Sequence, residues 1–291
     1  MLSTERLQLP TSFGTALQSA FSKYGQLCVG IDPHESLLRE WGLPDSAEGL
    51  RAFAFSVLEA AVDNVGIIKP QVAFFERFGS MGFKVLEDLA SEASQTDLLV
   101  IMDAKRGDIG STMSGYFEAW LSKSAPFLCD ALTVSPYLGV ESLTETMSAA
   151  IERGKGLFLL AATSNDEAKT LQRAKISDQT VASDVFGHIE RINKVNLAPG
   201  ANIGSLGVVV GATVNLSATG LTRLQTDESL LTPILAPGFG AQGAHLEELS
   251  DLFQTSSRRV IASVSRSVLA SGRIGLPASI GQAKEQLLKG V

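Results

Sequence analysis

Charged side chains are concentrated in the segment DAKRGDIGST, which runs from Asp103 to Thr112. Asp103 and Lys105 are two residues apart, so on a β-strand their side chains leave the same face. Asp108 follows in a loop within reach of them, and Lys69 ends an earlier apolar run. Two carboxylates and two ammonium groups that alternate in sign can hold one another charged in a poorly hydrated pocket. The alternative is a salt-bridge network with a purely structural role. Two lysines at neighbouring strand ends make that interpretation the weaker one.

A second candidate site is the glycine-rich segment APGFGAQG, from Ala236 to Gly243. Gly238, Gly240 and Gly243 have the GxGxxG spacing of dinucleotide-binding folds. Such a fold is disfavoured, because fewer than 50 residues follow and no acidic residue ends the next apolar run. A phosphate site is the better interpretation, since glycine-flanked amides and the nearby Arg266 can bind a phosphomonoester. Arg266 without that loop would indicate only a surface ion pair.

Neither a metal site nor a covalent nucleophile is expected. The three histidines stand singly, without ligand spacing, at His34, His188 and His245. Ser135 lacks the GxSxG pattern of nucleophilic serines and is predicted to line the wall of the site. Cys28 and Cys129 lie far apart and outside any CxxC pattern, so buried reduced thiols are expected.

The elements that must position these residues are eight short apolar runs, each followed by a stretch of helical periodicity. The runs are LCVGID from Leu27, GIIKPQ from Gly66, LLVIMDAK from Leu98, ALTVSPY from Ala131, GLFLLAAT from Gly156, LGVVVGAT from Leu206, PILAPGF from Pro233 and RVIASVS from Arg259. Amphipathic stretches span 47–64, 81–94, 111–123, 142–153, 185–196 and 244–255, and Ser12 is a candidate N-cap for a first helix over 12–24. Runs this apolar fit parallel strands covered by helices. The α/β pattern therefore predicts a (β/α)8 TIM barrel, with a doubly wound open sheet as the alternative.

The active site of such a barrel lies at the carboxyl ends of its strands, and here those ends are unusually polar. They carry Asp32, Lys69, Asp103, Lys105, Ser135, Thr163, Ser265 and Arg266. Residues 1–291 are predicted to form one domain, because no segment rich in proline and glycine separates two halves. The one long interruption, about 164–183, is polar and is interpreted as an insertion or lid.

The composition predicts a compact protein and disfavours several kinds of partner. Hydrophobic residues make up 45% of the 291 residues, which is ample material for a core. A net charge of -7 argues against nucleic acid as a partner, although a local cationic pocket can still hold one phosphate. The start, MLSTERLQLPTSFG, lacks a signal-peptide pattern, and no apolar stretch is long enough to cross a bilayer. No membrane association and a cytoplasmic location are therefore expected.

Six motifs together resemble the orotidine 5′-phosphate decarboxylase family. They are GIDP from Gly30, IKP from Ile68, DAKRGDIGST, TSN from Thr163, APGFGAQG, and SVSRS around Arg266. Their order and spacing agree with the family from about residue 27 to residue 268, and the length and polar insertion resemble its longer bacterial branch. DxKxxD alone marks a wider suprafamily, whereas KRGDIG with IKP and the glutamine-bearing glycine loop is specific. The resemblance implies a barrel enzyme without cofactor or metal that converts orotidine 5′-monophosphate to uridine 5′-monophosphate and carbon dioxide in pyrimidine synthesis.

The resemblance also implies a role for each charged residue of the site. Lys105 would deliver a proton to the ring carbon that loses carbon dioxide, and Asp103 would lie beside the substrate carboxylate. Lys69 and Asp32 would hold the ribose hydroxyls. A homodimer with shared active sites is implied as well, in which the other subunit would supply Asp108 and Thr112.

The uncharged residues and the phosphate ligands complete the implied site. Ser135 or Ser164 would contact the pyrimidine. The phosphate would bind to Gln242, Gly243 and Arg266. The remaining residues expected to bind substrate are Thr163, Asn165, Gly240 and Ser265.

Two other functions stay open at this point. Sugar-phosphate decarboxylases and aldolases of the same suprafamily use magnesium to stabilise an enediolate, and they are expected to carry an acidic residue where Lys69 stands. A barrel that only binds a phosphorylated ligand is the other alternative. The charged tetrad argues against it, because burying such a set of charges is costly without chemistry to perform.

Overall fold

Eight short parallel strands pair in chain order and close on themselves. They are β1 (Leu27–Ile31), β2 (Ile67–Pro70), β3 (Leu99–Arg106), β4 (Ala131–Val134), β5 (Gly156–Ala162), β6 (Leu206–Val210), β7 (Ile234–Pro237) and β8 (Val260–Val264). The computed structural model describes residues 11–290. Because β8 pairs back to β1, the predicted barrel is confirmed and the doubly wound open sheet is excluded.

Helices follow the strands and cover the outside of the barrel. They are α1 (Phe13–Tyr24), α2 (Glu35–Glu40), α3 (Ala47–Ala61), α4 (Ala73–Glu76), α5 (Gly79–Ala93), α6 (Gly110–Trp120), α7 (Thr144–Glu152), α8 (Ala168–Gln172), α9 (Val181–Val195), α10 (Arg223–Thr226), α11 (Leu249–Phe253), α12 (Arg266–Leu269) and α13 (Gly272–Lys289). Short 3-10 segments span Val140–Leu143, Leu246–Glu248 and Gln254–Arg259. Three of these helices begin at a side-chain N-cap, in which a hydroxyl accepts the backbone N–H three residues later. The caps are Ser12 for α1, Ser46 for α3 and Thr180 for α9.

The helical layer differs from the sequence prediction in several places, including two near the carboxyl end of the chain. The stretch 244–255 was expected to be one helix, but it forms the five-residue α11 between two 3-10 segments, and Gln254 ends it with a φ of 44°. The 18-residue α13 was not predicted at all. Its first ten residues contain Pro277 and three glycines, so this part of the segment has the composition of a loop.

The barrel interior is filled by side chains that alternate along the strands with those facing the helices. Cys28, Ile67, Ile101 and Phe158 belong to this inner cluster, and α1 closes its lower end with Phe13. The rings of Phe13 and Phe158 meet edge to face at 5.8 Å between centroids. Each ring contributes about 1.5–3 kcal/mol by burial. The interior is therefore a packed core, and only its upper end is free for chemistry.

A buried polar network closes the amino ends of β6 and β7. Glu190 of α9 accepts hydrogen bonds from the backbone N–H and the hydroxyl of Thr232, at 3.1 and 2.7 Å. Asn193, one turn further on, donates to the backbone oxygen of Leu206 at 2.7 Å. Because this network lies at the end of the barrel opposite the mouth, we assign it to stability.

The polar segment after β5 has structure of its own. It contains α8 and a two-stranded antiparallel hairpin formed by Lys175–Ile176 and Gln179–Thr180. The amide of Gln172, at the end of α8, accepts the backbone N–H of Thr163 at 2.8 Å and donates to its hydroxyl at 3.0 Å. The segment is thereby attached to the carboxyl end of β5.

Candidate active site

Three charged side chains meet at the carboxyl ends of β2 and β3. Lys69 Nζ donates to Asp103 Oδ2 at 2.9 Å, and Lys105 Nζ donates to Asp103 Oδ1 at 2.6 Å. Only 7% of the Lys69 side chain and 12% of the Asp103 side chain are exposed, whereas 44% of the Lys105 side chain is exposed. The outer ammonium of this network is therefore the one that a molecule in the barrel mouth can reach.

The network keeps Asp103 and Lys69 ionised despite their burial. Burial alone would raise the pKa of Asp103, but the positive charges of Lys69 and Lys105 hold it well below its usual range. Burial would likewise lower the pKa of Lys69, and the carboxylates of Asp103 and Asp32 instead raise it above its ordinary value. Each charge thus depends on its neighbours, and removing one leaves the others uncompensated in a poorly solvated place.

The backbone of β3 leaves regular strand geometry where these side chains are presented. The pairing of β3 with β4 shifts register between Met102 and Arg106, and Lys105 has a φ of 50°. A non-glycine residue in this left-handed region is rare and costs about 1–2 kcal/mol. Their spacing in the sequence predicts that Asp103 and Lys105 share one face of a regular strand. They do share the mouth, but an irregularity of the kind common near active sites brings them together.

Two residues that sequence reasoning missed also hold Asp103. The Thr133 hydroxyl on β4 donates to Asp103 Oδ1 at 2.9 Å. The Gln71 amide, turned with its nitrogen toward Asp103, donates to the backbone oxygen at 2.6 Å and to Oδ2 at 3.2 Å. Both could have been suspected from position, because Thr133 lies on β4 two residues before Ser135, and Gln71 lies two residues after Lys69, directly beyond the end of β2.

The arginine and glycine of the KRGD motif shape the loop and do not enter the mouth. Arg106 forms an ion pair with Glu76 of α4 and lies over the Trp120 ring, 5.8 Å from its centroid. A Cβ on Gly107 would lie 2.5 Å from the Ser135 backbone oxygen, so only glycine allows this approach. These contacts fix the loop after β3 against the end of β4.

Polar groups from β1 and β8 face the same mouth. Asp32 and Ser265 follow these two paired strands, and a Cβ on Gly30 would lie 2.9 Å from the Ser265 Cβ. Asp32 Oδ1 and Ser265 Oγ are buried, and no hydrogen-bond partner for either lies among residues 11–290. Buried polar atoms normally have partners, so both are candidates to bind a ligand.

The loops after β5 and β7 approach each other across the mouth. The Ser164 hydroxyl donates to the Gln242 side-chain oxygen at 3.0 Å. The Thr163 hydroxyl donates to the Asn165 side-chain oxygen at 2.7 Å. The four predicted residues of these loops therefore form two pairs, and Gln172 is a further contact of Thr163 that no sequence pattern indicated.

The glycine-rich loop is a tight turn beside the start of α12. Gly243 N–H donates to the Gly240 oxygen at 3.0 Å, and Gly240 N–H donates to the Ala244 oxygen at 2.8 Å. A Cβ on Gly240 would lie 2.6 Å from Ser267, so glycine lets the turn approach the helix. Arg266 opens α12 and is exposed, and the first N–H groups of a helix have no acceptor within it. The Gly240 and Gly243 amides are used within the turn, so the groups at this corner that an anion could bind are the first amides of α12 and the exposed Arg266 side chain.

Asp108 and Thr112 are not brought to the charged network of their own chain. The Asp108 carboxylate accepts the N–H of its neighbour Ile109 at 2.8 Å, and Thr112 is exposed in the first turn of α6. Ser135 lies half-buried at the end of β4, where its N–H donates to the Arg106 oxygen at 2.7 Å. None of these three residues forms a hydrogen bond with the side chains of Lys69, Asp103 or Lys105 in the described part of the chain.

Histidines and cysteines take no part in this site. Within residues 11–290, no group of three or more His, Cys, Asp and Glu side chains is placed to hold a metal ion. Burial raises the pKa of the Cys28 thiol to about 12 and also raises that of Cys129, so neither is a reactive thiolate. None of the helices in this part of the chain is long and apolar enough to cross a membrane.

Fold and site together define an α/β barrel whose mouth carries a lysine–aspartate–lysine network beside a glycine-rich turn. The chain belongs to the orotidine 5′-phosphate decarboxylase / HUMPS family, whose sequence model matches residues 25–274. The family predicted from the six motifs is thereby confirmed.

Individual relatives agree with this assignment over most of their length. The orotidine 5′-phosphate decarboxylase of Streptomyces coelicolor is 49% identical over 89% of this chain and 90% of its own. That of Corynebacterium glutamicum is 45% identical over 90% of this chain and 91% of its own. The crystal structure of a candidate orotidine 5′-phosphate decarboxylase from Streptomyces avermitilis superposes with a TM-score of 0.89 at 46% identity, covering 97% of this chain and 96% of that one.

Proposed function

We propose that this chain decarboxylates orotidine 5′-monophosphate, giving uridine 5′-monophosphate and carbon dioxide for pyrimidine synthesis. The carboxy-lyase activity predicted from the motifs agrees with the names of the relatives. The observation that carries the proposal is the Asp103 carboxylate shared by Lys69 and Lys105, which fixes an ammonium at the mouth of a closed barrel.

The reaction needs such a group because its intermediate is a poorly stabilised carbanion. When the carbon–carbon bond to the carboxylate breaks, the electron pair stays on the ring carbon, with no adjacent carbonyl to delocalise it. A fixed ammonium stabilises that charge best where little water competes. Lys105 Nζ then transfers a proton to the carbon, and the neutral amine regains a proton from solvent.

Asp103 contributes in two ways. It orients both ammonium groups through its two oxygens. It also stands near the substrate carboxylate, where two negative charges at ~4 Å repel by about 4 kcal/mol at an effective dielectric of ~20. Departure of carbon dioxide relieves that repulsion, which we rank second to stabilisation of the carbanion. Binding of the unreactive phosphate supplies much of the energy required.

The other residues bind and orient the substrate in this proposal. Asp32 and Lys69 hold the ribose hydroxyls, and the unpaired Asp32 Oδ1 supports that assignment. Arg266 and the turn at Gly240 and Gly243 bind the phosphate in this proposal, because α12 begins at Arg266 and its second residue, Ser267, lies against Gly240. Ser135 or Ser164 contacts the pyrimidine, and Gln242 is a further phosphate ligand. The remaining residues assigned to substrate binding are Thr163, Asn165 and Ser265.

The residue at the end of β2 also distinguishes this reaction from the magnesium-dependent chemistry of the wider suprafamily. An enediolate bound to magnesium requires an acidic ligand at the end of β2, where this chain has Lys69. An ammonium buried against Asp103 would repel the cation, so the decarboxylase is favoured.

We further propose a homodimer in which each mouth is completed by the partner. The Asp108 carboxylate accepts the N–H of its neighbour Ile109, and within residues 11–290 it forms no hydrogen bond or ion pair with Lys69, Asp103 or Lys105. Beside it, on the adjoining loops after β3 and β4, Ile109, Tyr137 and Leu138 are 60%, 75% and 54% exposed. An exposed apolar patch next to an incomplete site favours a second copy as its occupant. We propose the cytoplasm as the location, in keeping with a nucleotide-synthesis reaction and two unpaired thiols.

A spectrophotometric assay with orotidine 5′-monophosphate in excess chelator tests the function. The proposal predicts loss of the orotate absorbance and unchanged turnover after chelation. Turnover of a sugar phosphate that depends on added magnesium would favour the alternative enzyme class. Tight binding of a phosphorylated ligand with no turnover of either substrate would favour a binding protein.

A further inference from the structure

One buried hydroxyl connects the two residues on which the proposed chemistry depends. Thr133, on β4, is 1% exposed and accepts the backbone N–H of Lys105 at 3.0 Å. The same oxygen donates its own proton to Asp103 Oδ1 at 2.9 Å. A hydroxyl has one proton to donate and lone pairs to accept, so a single side chain fills both roles at once.

The irregularity in β3 explains why a side chain is needed here. Regular pairing of β3 with β4 is interrupted between Met102 and Arg106, so Lys105 lies outside the regular ladder. Its N–H is satisfied by the Thr133 hydroxyl, while its backbone is held at a φ of 50°. A strained left-handed conformation of this kind persists only where several neighbouring contacts hold it in place.

We propose that Thr133 is a positioning residue for the decarboxylation. Its hydroxyl holds the Lys105 backbone in the left-handed conformation and fixes the rotamer of Asp103, so that the Lys105 ammonium points into the mouth. Thr133 does not touch the substrate in this account. It acts through Lys105 and Asp103, and the inference therefore rests on the proposed function for its kinetic consequence.

Three variants separate positioning from general stability. Thr133→Val keeps the shape of the side chain and removes the hydroxyl, whereas Thr133→Ser keeps the hydroxyl. Thr232→Val is the matched control, because Thr232 is also 1% exposed and its hydroxyl donates to Glu190 at the opposite end of the barrel. Steady-state kinetics with orotidine 5′-monophosphate and thermal unfolding are measured for each variant.

We expect Thr133→Val to lower kcat by about tenfold to a hundredfold while KM changes by less than about threefold, because the proton donor is misplaced and the phosphate corner is intact. Thr133→Ser should recover most of the lost kcat. Thr232→Val should lower the unfolding temperature and leave kcat unchanged. The inference is overturned if kcat of Thr133→Val equals that of the wild type. It is also overturned if Thr133→Ser lowers kcat as much as Thr133→Val does.

A crystal structure of Thr133→Val gives a readout that does not depend on turnover. We expect Lys105 to leave its φ of 50°, or its ammonium to separate from Asp103 Oδ1. Unchanged geometry would contradict the inference even if the variant were slow. A wild-type protein without activity on orotidine 5′-monophosphate would instead overturn the proposed function, and the crystal structure would still decide the positioning role.

Discussion

Lys105 Nζ lies 2.6 Å from Asp103 Oδ1 although the Lys105 backbone is in the left-handed region. The side chain that the proposed reaction needs is thus presented at a point where the regular pairing of β3 with β4 is interrupted. Such strain is stabilised by neighbouring contacts, here the Thr133 hydroxyl and the ion pair itself. The arrangement exposes one ammonium to the mouth and keeps the other buried.

The lowered pKa of Asp103 should appear in the pH dependence of stability. An unfolded aspartate has a pKa of about 3.9, so as pH falls the unfolded chain takes up this proton first and gains stability relative to the folded chain. The contribution of Asp103 is fully present above about pH 5 and is lost as pH falls through the folded-state pKa. We expect the unfolding free energy of the wild type to fall more steeply with decreasing pH than that of Asp103→Asn. The two slopes should differ by up to about 1.4 kcal/mol per pH unit. Urea unfolding between pH 3 and pH 6 measures both slopes, and parallel slopes would contradict the assignment.

Arg266→Ala should mainly weaken capture of the substrate. Loss of a charge-assisted contact to phosphate is expected to raise KM about tenfold to a hundredfold, with some loss of kcat if phosphate binding drives closure of the mouth. Arg273→Ala is the control, because Arg273 carries the same charge but lies beside Phe55 and Val62 in a groove on the outer helices. Kinetics of Arg266→Ala that match those of Arg273→Ala would place the phosphate elsewhere.

Phe13→Ala should reduce stability without changing the chemistry. Phe13 is 1% exposed, closes the lower end of the barrel and packs against Phe158. Truncation should lower the unfolding free energy by about 3–5 kcal/mol, while kcat and KM of the folded protein stay within about twofold. Val195→Ala, at an 84% exposed position, should change stability by less than about 0.5 kcal/mol. A large loss of kcat in Phe13→Ala would show that the two ends of the barrel are coupled.

The repeated units of the fold were predictable because each strand is a short apolar run, and Lys69, Asp103 and Lys105 were found because they stand where those runs end. The left-handed backbone conformation of Lys105 could not be predicted, because it depends on how β3 pairs with β4, and the local spacing of residues does not encode that pairing. Thr133 was missed for the same reason, because its role arises from a contact across strands.

Two helices show where local patterns fail. α8 has no buried residue, so it lacks the apolar stripe by which a helix is recognised in a sequence. α13 buries Leu276, Ile280, Ala283 and Leu287, but the glycines and Pro277 around its start obscure that stripe. Tertiary packing, and not propensity, decides α13.

Asp108 allows a test of the proposed shared site. Lys105→Ala and Asp108→Ala should each form nearly inactive homodimers. When the two proteins are unfolded together and reassembled, about half of the dimers are mixed, and about a quarter of all sites contain both native residues. Activity should therefore return to about a quarter of the wild-type value. Mixing that gives no more activity than the two parents, with subunit exchange confirmed by mass, would contradict the shared site while leaving the decarboxylase assignment intact.

In the proposed reaction the Lys105 ammonium performs the chemistry while other residues hold the substrate. This division of roles is tested by the turnover and binding of Lys105→Ala, measured side by side with the wild type. Titration calorimetry with a phosphorylated pyrimidine nucleotide should show binding that remains measurable, because the phosphate corner is untouched. The orotidine 5′-monophosphate assay should show no turnover above background. Turnover of Lys105→Ala within about tenfold of the wild type would remove Lys105 from this role and contradict the account.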